Sequence, residues 1–277
     1  MFISFRNSKY IVSKWGIKPY IVDYPYSEIP KSGNVILKDR IAVIVGGNAG
    51  IGLSIVKTFL AEGARVIASA RKEGNLSTIK CDSLEYLQWD VADINQSRSN
   101  IQYIINKYGR IDNIVLCAGV NVLHNNKSSD LIERKENEIR YIHGINVIGV
   151  CEICKIIKEL SDLRVFKNSV KIINIISAGG FISRPEPYFT SKRSFLSFTE
   201  AFSKEAGDSI KVYGIAPGEI STPMIRKGKF TLFSTIAKDK RKGHPDEIAQ
   251  LALLMASDAG DTMSGNVIVF DGAETIR

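Results

Sequence analysis

Between residues 41 and 270, short runs of β-branched and apolar residues alternate with longer stretches in which apolar residues recur every three or four positions. An unbroken apolar run of this length marks a strand buried on both faces, and the helical period between runs marks crossover helices. Strands are predicted at Ile41–Val45, Arg65–Ala70, Leu84–Trp89, Ile111–Cys117, Val170–Ile176, Ile210–Ile215 and Asn266–Phe270. Helices are predicted near Gly50–Ala61, Ile94–Lys107, Ser129–Leu160, Pro187–Ala206 and Pro245–Ala256, several of them stopping at a glycine such as Gly63, Gly109 or Gly207. Strand and helix in strict alternation build a parallel sheet covered on both faces. The expectation is one α/β domain over 39–277, doubly wound around a seven-stranded parallel sheet.

Residues 1–38 break the pattern. They are aromatic and basic, punctuated by Pro19, Pro25 and Pro30, and show no period. They form an N-terminal extension, readable as a partly ordered tail or as an arm, carrying Trp15, Tyr20, Tyr24 and Tyr26, that packs on a neighbouring subunit.

The loop between the first strand and first helix reads Gly46-Gly47-Asn48-Ala49-Gly50-Ile51-Gly52. Strand, glycine turn and helix in that order suit a dinucleotide: glycines let the backbone approach a pyrophosphate, and the helix N-terminus offers free N–H groups and partial positive charge. An NAD site commonly has an acidic residue at the end of the second strand, for the ribose 2′-hydroxyl. Here Ala70 holds that place and Arg71 follows. A guanidinium suits a phosphate, which favours NADP(H) over NAD(H). Asp90, closing the third strand ahead of Val91, is placed to meet adenine, although a helix N-cap role for Asp90 or Asp93 accounts for it equally well.

Tyr188 and Lys192 stand one helical turn apart, so both project from one helix face. A tyrosine with a pKa of about 10 is a poor base unless a neighbouring cation stabilises its phenolate, which Lys192 could do. Ser177 follows a buried strand, at the carboxyl edge where ligands bind in open α/β sheets. These three residues point to carbonyl/alcohol redox chemistry.

The net charge of +8 is concentrated in residues 222–242, where Arg226, Lys227, Lys229, Lys238, Lys240, Arg241 and Lys242 face Asp239 alone, a local net of +6. The segment is either a solvated surface or an attractor for an anionic substrate or carrier. No aromatic-interleaved basic face accompanies it, so nucleic-acid binding is not expected. No apolar stretch reaches the length of a membrane span, and the first residues lack a secretory signal pattern. Cys81, Cys117, Cys151 and Cys154 show no disulfide framework, which fits a reducing, cytoplasmic setting. Cys151 and Cys154 continue a helical apolar pattern and His124, His143 and His244 are scattered, so no metal site is expected.

In this order the motifs resemble the short-chain dehydrogenase/reductase family over about Lys38 to Ala273. Gly46, Gly50 and Gly52 match the cofactor loop, with Asn48 and Ile51 inside it. Asp90-Val91 matches the adenine site, Ala118-Gly119 the end of an Asn-Asn-Ala-Gly motif, and Asn146-Val147-x-Gly149 the catalytic asparagine motif. Ser177, Tyr188 and Lys192 match the catalytic serine and Tyr-x-x-x-Lys; Pro217-Gly218, Ile220 and Thr222 match the loop beside nicotinamide, and Asp271-Gly272 the end of the last strand. The chain departs from the pattern at Val45, usually threonine, at Leu116-Cys117, usually both asparagine, and at Ala273, usually glycine. The interval from Ser177 to Tyr188, eleven residues, is shorter than usual.

The resemblance implies a Rossmann fold and a tetrad of Asn146, Ser177, Tyr188 and Lys192. Tyr188 would donate or remove the proton, and Lys192 would hold the nicotinamide ribose and lower the tyrosine pKa. Ser177 would bind the substrate oxygen, and Asn146 would support a relay water. A lid over about 221–243, with Met224, Ile225, Phe230 and Phe233 as apolar contacts, would cover the substrate.

The leading expectation is NADP(H)-dependent interconversion of a ketone and a secondary alcohol, in the reductive direction, on a small molecule that is anionic or carrier-bound, such as a 3-oxoacyl thioester. The alternatives are NAD-dependent oxidation of a sugar, polyol or other alcohol, and a non-catalytic dinucleotide-binding sensor or scaffold. The family also implies a homodimer or homotetramer.

Overall fold

The computed structural model describes residues 35–121, 136–166, 168–224, 241–273 and 275. Seven parallel strands form one sheet: β1 Ile41–Val45, β2 Arg65–Ala70, β3 Leu84–Gln88, β4 Asn113–Leu116, β5 Val170–Ile175, β6 Ile210–Pro217 and β7 Val267–Phe270. Their spatial order is β3-β2-β1-β4-β5-β6-β7. Chain order therefore reverses between β1 and β4, and the crevice outside the strand ends at such a switch point is where ligands bind.

The helices are α1 Gly50–Ala61, α2 Ile94–Tyr108, α3 Glu136–His143, α4 Val150–Asp162, α5 Pro187–Glu205 and α6 Pro245–Ala256. Side chains alternate across a strand, and β1 shows how both directions are filled. Ile41, Val43 and Val45 join a core with Ile101 and Ile104 of α2, Ile153 and Ile157 of α4, and Phe195 and Leu196 of α5. Ala42 and Ile44 join a second core with Ile55 and Phe59 of α1 and Ile248 and Ala252 of α6. Burial on both sides is why the strands read as unbroken apolar runs. The seven-stranded doubly wound sheet matches the expectation.

Several boundaries differ from those expected. β4 begins at Asn113 rather than Ile111, because the Asp112 carboxylate, not a backbone carbonyl, accepts the Ile41 N–H at 2.7 Å. β3 stops at Gln88; Trp89 still donates its N–H to Ala70 at 3.0 Å but turns its ring toward α2, where Nε1 donates to Ser97 Oγ at 2.9 Å. β6 runs on to Pro217, pairing Ala216 and Pro217 with Val269 and Phe270 of β7. β5 ends one residue early, at Ile175, and β7 starts one late, at Val267.

The expected long helix over 129–160 has a described portion in three parts: α3, a π-type segment Gly144–Gly149 and α4. Gly149 explains the tight packing at that break. A Cβ there would lie 2.2 Å from the Val91 carbonyl oxygen, so only glycine lets this helix rest on the β3–α2 turn. Residues 1–34 of the N-terminal extension, the start of the long helix before Glu136, and residues 225–240 of the expected lid lie outside the described residues. So do Ile225, Phe230, Phe233, His124 and the lid's basic residues other than Arg241 and Lys242. Leu37, within the extension, is fully buried and donates its N–H to Glu62 at 2.8 Å.

Candidate active site

The carboxyl ends of β1, β2, β3, β4, β5 and β6 bring the sequence-predicted residues to one edge of the sheet. Gly46 and Gly50 adopt φ of +90° and +53°, a left-handed region open to glycine at little cost. A Cβ on Gly46 would sit 2.6 Å from the Ala118 nitrogen, and one on Gly52 only 2.1 Å from the Gly46 carbonyl oxygen. The loop is thus a tight coil pressed against the end of β4. Behind it, α1 starts with Ala49 at its N-cap, with no side-chain cap and no acidic residue in its first turn. Its first N–H groups and positive dipole end are left for an anion. The cradle fits a dinucleotide pyrophosphate.

Next to this loop, Asn48 Nδ2 donates to the Lys72 carbonyl at 3.0 Å, tying the turn after β2 to the glycine coil. Arg71 is exposed on that turn and donates Nη1 to the Tyr141 hydroxyl at 2.9 Å. Asp90 Oδ1 accepts the Ala92 N–H at 3.0 Å, while Asp93 is the N-cap of α2, accepting from Gln96 N at 2.9 Å. Asp90 therefore shapes the turn over Val91, which is buried, and Asp93 takes the capping role.

At the other end of the cleft the tetrad residues meet. α5 begins with Pro187 in its first turn, which suits a helix start, and presents Tyr188 and Lys192 one turn apart. The Tyr188 hydroxyl hydrogen-bonds Ser177. Ser177 Oγ also accepts the Gly179 N–H at 3.1 Å, closing a short turn after β5. Lys192 is 5% exposed and donates Nζ to the Ile175 carbonyl at 3.2 Å. Its ammonium lies 5.9 Å from the centre of the Tyr188 ring.

Asn146 sits in the π-type segment, a feature frequent at functional sites. Its Oδ1 accepts the Val120 N–H at 2.8 Å, and its Nδ2 donates to the Val120 carbonyl at 2.9 Å and to Ser191 Oγ at 3.1 Å. The side chain fastens the strand end after β4 to α5. Gly119 completes the corner: a Cβ there would stand 3.5 Å from Asn146 Oδ1 and 3.6 Å from Lys192 Nζ.

Burial pushes the Tyr188 phenol above its ordinary pKa, the Ser177 hydrogen bond opposing it. Burial also brings the Lys192 ammonium down to about 8. In this arrangement desolvation sets the direction of the Tyr188 shift, with the Lys192 ammonium bonded to the Ile175 carbonyl. Cys117, which replaces an asparagine, lies among these groups and receives a hydrogen bond from the Gly52 N–H; burial raises its thiol to about 11, so it is neutral beside Lys192 at pH 7.

Pro217 ends β6, and Gly218 N–H donates to Phe270 at 3.0 Å. Ile220 is buried and bridges to Gly243, with Ser221 N–H to Gly243 and Gly243 N–H to Glu219 at 2.9 and 2.8 Å. The two stems of the expected lid are therefore joined at their base. Thr222 packs its methyl over the glycine loop, 3.1 Å from where a Gly50 Cβ would stand. Met224 is exposed. Among the described residues, no group of three or more His, Cys, Asp or Glu side chains is placed to hold a metal ion, and no helix is long and apolar enough to cross a membrane.

A model of the short-chain dehydrogenase family matches residues 40–230. The chain belongs to that family. It is an oxidoreductase, and several of its relatives are reductases by name. It is 30% identical over 253 residues to the 3-oxoacyl-(acyl-carrier-protein) reductase FabG of Thermotoga maritima, covering 87% of this chain and 99% of that protein. It is 28% identical over 257 residues to an A-factor type γ-butyrolactone 1′-reductase of Streptomyces virginiae, covering 87% and 97%. In fold, this short-chain dehydrogenase is similar to ElxO with NADP bound, at a TM-score of 0.76 and 24% identity over 86% of this chain and all of that one.

Sequence reasoning did not find Tyr141, Val120 or Ser191. Val120 and Ser191 follow motif residues but carry no pattern of their own. Tyr141 and Arg71 are 70 positions apart, a pairing no local period encodes.

Proposed function

We propose that this short-chain dehydrogenase is an NADP(H)-dependent reductase that interconverts a ketone and a secondary alcohol, working in the reductive direction. The observation that carries the reading is Tyr188, hydrogen-bonded to Ser177 and beside the buried Lys192, at the end of a glycine-lined cleft. Reduction needs a neutral acid at the carbonyl oxygen, and a phenol whose pKa is raised by burial is fully protonated at neutral pH. The nicotinamide, when bound, supplies the hydride to the carbonyl carbon.

Tyr188 gives its proton to the developing alkoxide, and Ser177 holds the same oxygen. The phenolate left behind is stabilised by Lys192, which at a pKa of about 8 remains a cation at neutral pH. Asn146 acts one step back: it fastens the Gly119–Val120 corner and α5, and so sets where Lys192 stands. Retention of all four tetrad residues argues against a sensor or scaffold.

Ala70 and Arg71 at the end of β2 favour NADPH over NADH. A carrier-bound 3-oxoacyl thioester, or another anionic ketone, is the substrate class supported by the names of the relatives and by the local net of +6 over 222–242. We assign residues 1–38 to an N-terminal extension and 221–243 to a lid on a Rossmann domain spanning 39–277. We further assign a homodimer or homotetramer packed through α4 and α5, and a reducing cytoplasmic setting in keeping with four free cysteines.

The test is titration of the purified protein with NADPH, NADP, NADH and NAD, followed by a carbonyl panel that includes 3-oxoacyl thioesters. Tighter binding of NADPH than NADH together with thioester reduction is expected. Binding of none of the four, or polyol oxidation with NAD as the dominant activity, would overturn the proposal.

A further inference from the structure

The hydrogen bond between Arg71 and Tyr141 closes a ring of contacts around the space above Val91. On one side, Ala70 at the end of β2 is bonded to Trp89 at 3.0 Å, which sets the Asp90-Val91 turn beside Arg71. On the other, Gly149 rests on the Val91 carbonyl, and the helical chain climbs from Gly149 back to Tyr141. That climb is eight residues, about 12 Å at the helical rise. Tyr141 Oη to Arg71 Nη1, at 2.9 Å, completes the circuit. The circuit so closed links the β2 turn, the Val91 turn and α3, with the glycine coil tied to the β2 turn through Asn48 and the Arg71–Tyr141 pair as its exposed rim.

The pair is specific in its chemistry. A phenol has one donor and two acceptor sites; accepting from Arg71 leaves the Tyr141 O–H free to donate. Arg71 has further N–H donors in its fork. The rim therefore offers convergent donors from two elements, with Ala70 in place of an acid. Arg71 itself is well fixed, since its turn is also tied to the glycine coil through Asn48 and the Lys72 carbonyl. A phosphate monoester accepts several hydrogen bonds at once, whereas a ribose hydroxyl offers far less.

We propose that Tyr141 is a cofactor-specificity residue, which holds the Arg71 guanidinium and donates its own hydroxyl to the adenosine 2′-phosphate. The inference rests on the reading of Arg71 as the 2′-phosphate ligand and extends it to a residue on α3. It makes phosphate recognition a two-element grip, one arm from the β2 turn and one from the helix that leads to Asn146.

The test compares adenosine 2′,5′-bisphosphate with 5′-AMP as calorimetric ligands for the wild type, Tyr141→Phe, Arg71→Ala and the double variant. Both side chains are exposed, and unchanged unfolding temperatures verify that the fold survives. For Tyr141→Phe, bisphosphate binding is expected to weaken about three- to tenfold, the range for losing one hydrogen bond, with 5′-AMP within about twofold. Arg71→Ala is expected to lose most of the discrimination, and the double variant to lose somewhat more than Arg71→Ala but less than the product of the two single effects, because Tyr141 acts partly through Arg71 and partly through its own hydroxyl. If Tyr141→Phe binds bisphosphate as the wild type does while Arg71→Ala does not, the role of Tyr141 is overturned and that of Arg71 stands. Equal weakening of both ligands by Tyr141→Phe would make the tyrosine an adenine wall and overturn the proposal. Discrimination intact in Arg71→Ala would overturn the reading of Arg71 and, with it, this inference.

Discussion

Replacing Lys192 by methionine is expected to abolish turnover and yet make the protein more stable at neutral pH. Lys192 is 5% exposed, and its pKa falls from 10.5 to about 8 by desolvation. At about 1.36 kcal/mol per pH unit, keeping this ammonium charged below pH 8 costs the fold roughly 3 kcal/mol. Methionine removes that cost and keeps an unbranched apolar side chain of similar length. It also gives up the 3.2 Å hydrogen bond to the Ile175 carbonyl, worth about 1 kcal/mol. The net gain of about 2 kcal/mol corresponds to a rise in unfolding temperature of roughly 4–8 °C for a chain of this size.

The pH dependence fixes the cause. Because the folded pKa is depressed, the unfolded chain binds more protons between pH 8 and 10.5, and wild-type stability rises with pH across that window. The variant has no such rise. The gap is therefore full below pH 8 and shrinks to near zero by about pH 10. Differential scanning fluorimetry of both proteins at pH 7, 8, 9 and 10 reads it directly. A variant no more stable than the wild type at pH 7, or a gap that does not close with rising pH, would refute the argument that catalysis here holds a buried charge against the fold.

Gly52→Ala is expected to raise the dissociation constant for NADPH by roughly tenfold or more, since its Cβ would stand 2.1 Å from the Gly46 carbonyl and the coil must move off the α1 N-terminus; fluorescence titration measures it. Ala273→Gly is expected to stabilise by about 0.5–1 kcal/mol, because Ala273 holds φ +65°, where L-residues are strained; urea unfolding would show the gain. Asp112→Asn is expected to destabilise by roughly 3 kcal/mol in the same assay, since the buried carboxylate accepts from Ile41 N–H and pairs with Arg110 and Arg40.

The sheet was legible because its central strands β1, β4 and β5 are buried on both faces: an uninterrupted run such as Ile41–Val45 has few other homes in a chain of this composition. Its ends were less so. At Asp112 a side-chain carboxylate replaces the ladder partner that an apolar pattern predicts, and at Gly144–Gly149 the π-type segment keeps the same apolar face, so one long helix was expected where three segments stand. The tetrad was legible as spacing, yet its energetics depend on what surrounds it. Nothing in Tyr-x-x-x-Lys tells that Lys192 is buried against Ile175 or that the Asn146 side chain is consumed by Val120 and Ser191. The Arg71–Tyr141 contact joins two elements that only the folded sheet brings together.

The most direct test of the account is whether Tyr188 supplies the proton to a reduced carbonyl. With cofactor saturating and a 3-oxoacyl thioester as substrate, Tyr188→Phe is expected to bind NADPH as the wild type does while transferring deuteride from labelled cofactor at least about a hundredfold more slowly, the scale of a lost general acid. Transfer at the wild-type rate by the variant would contradict it.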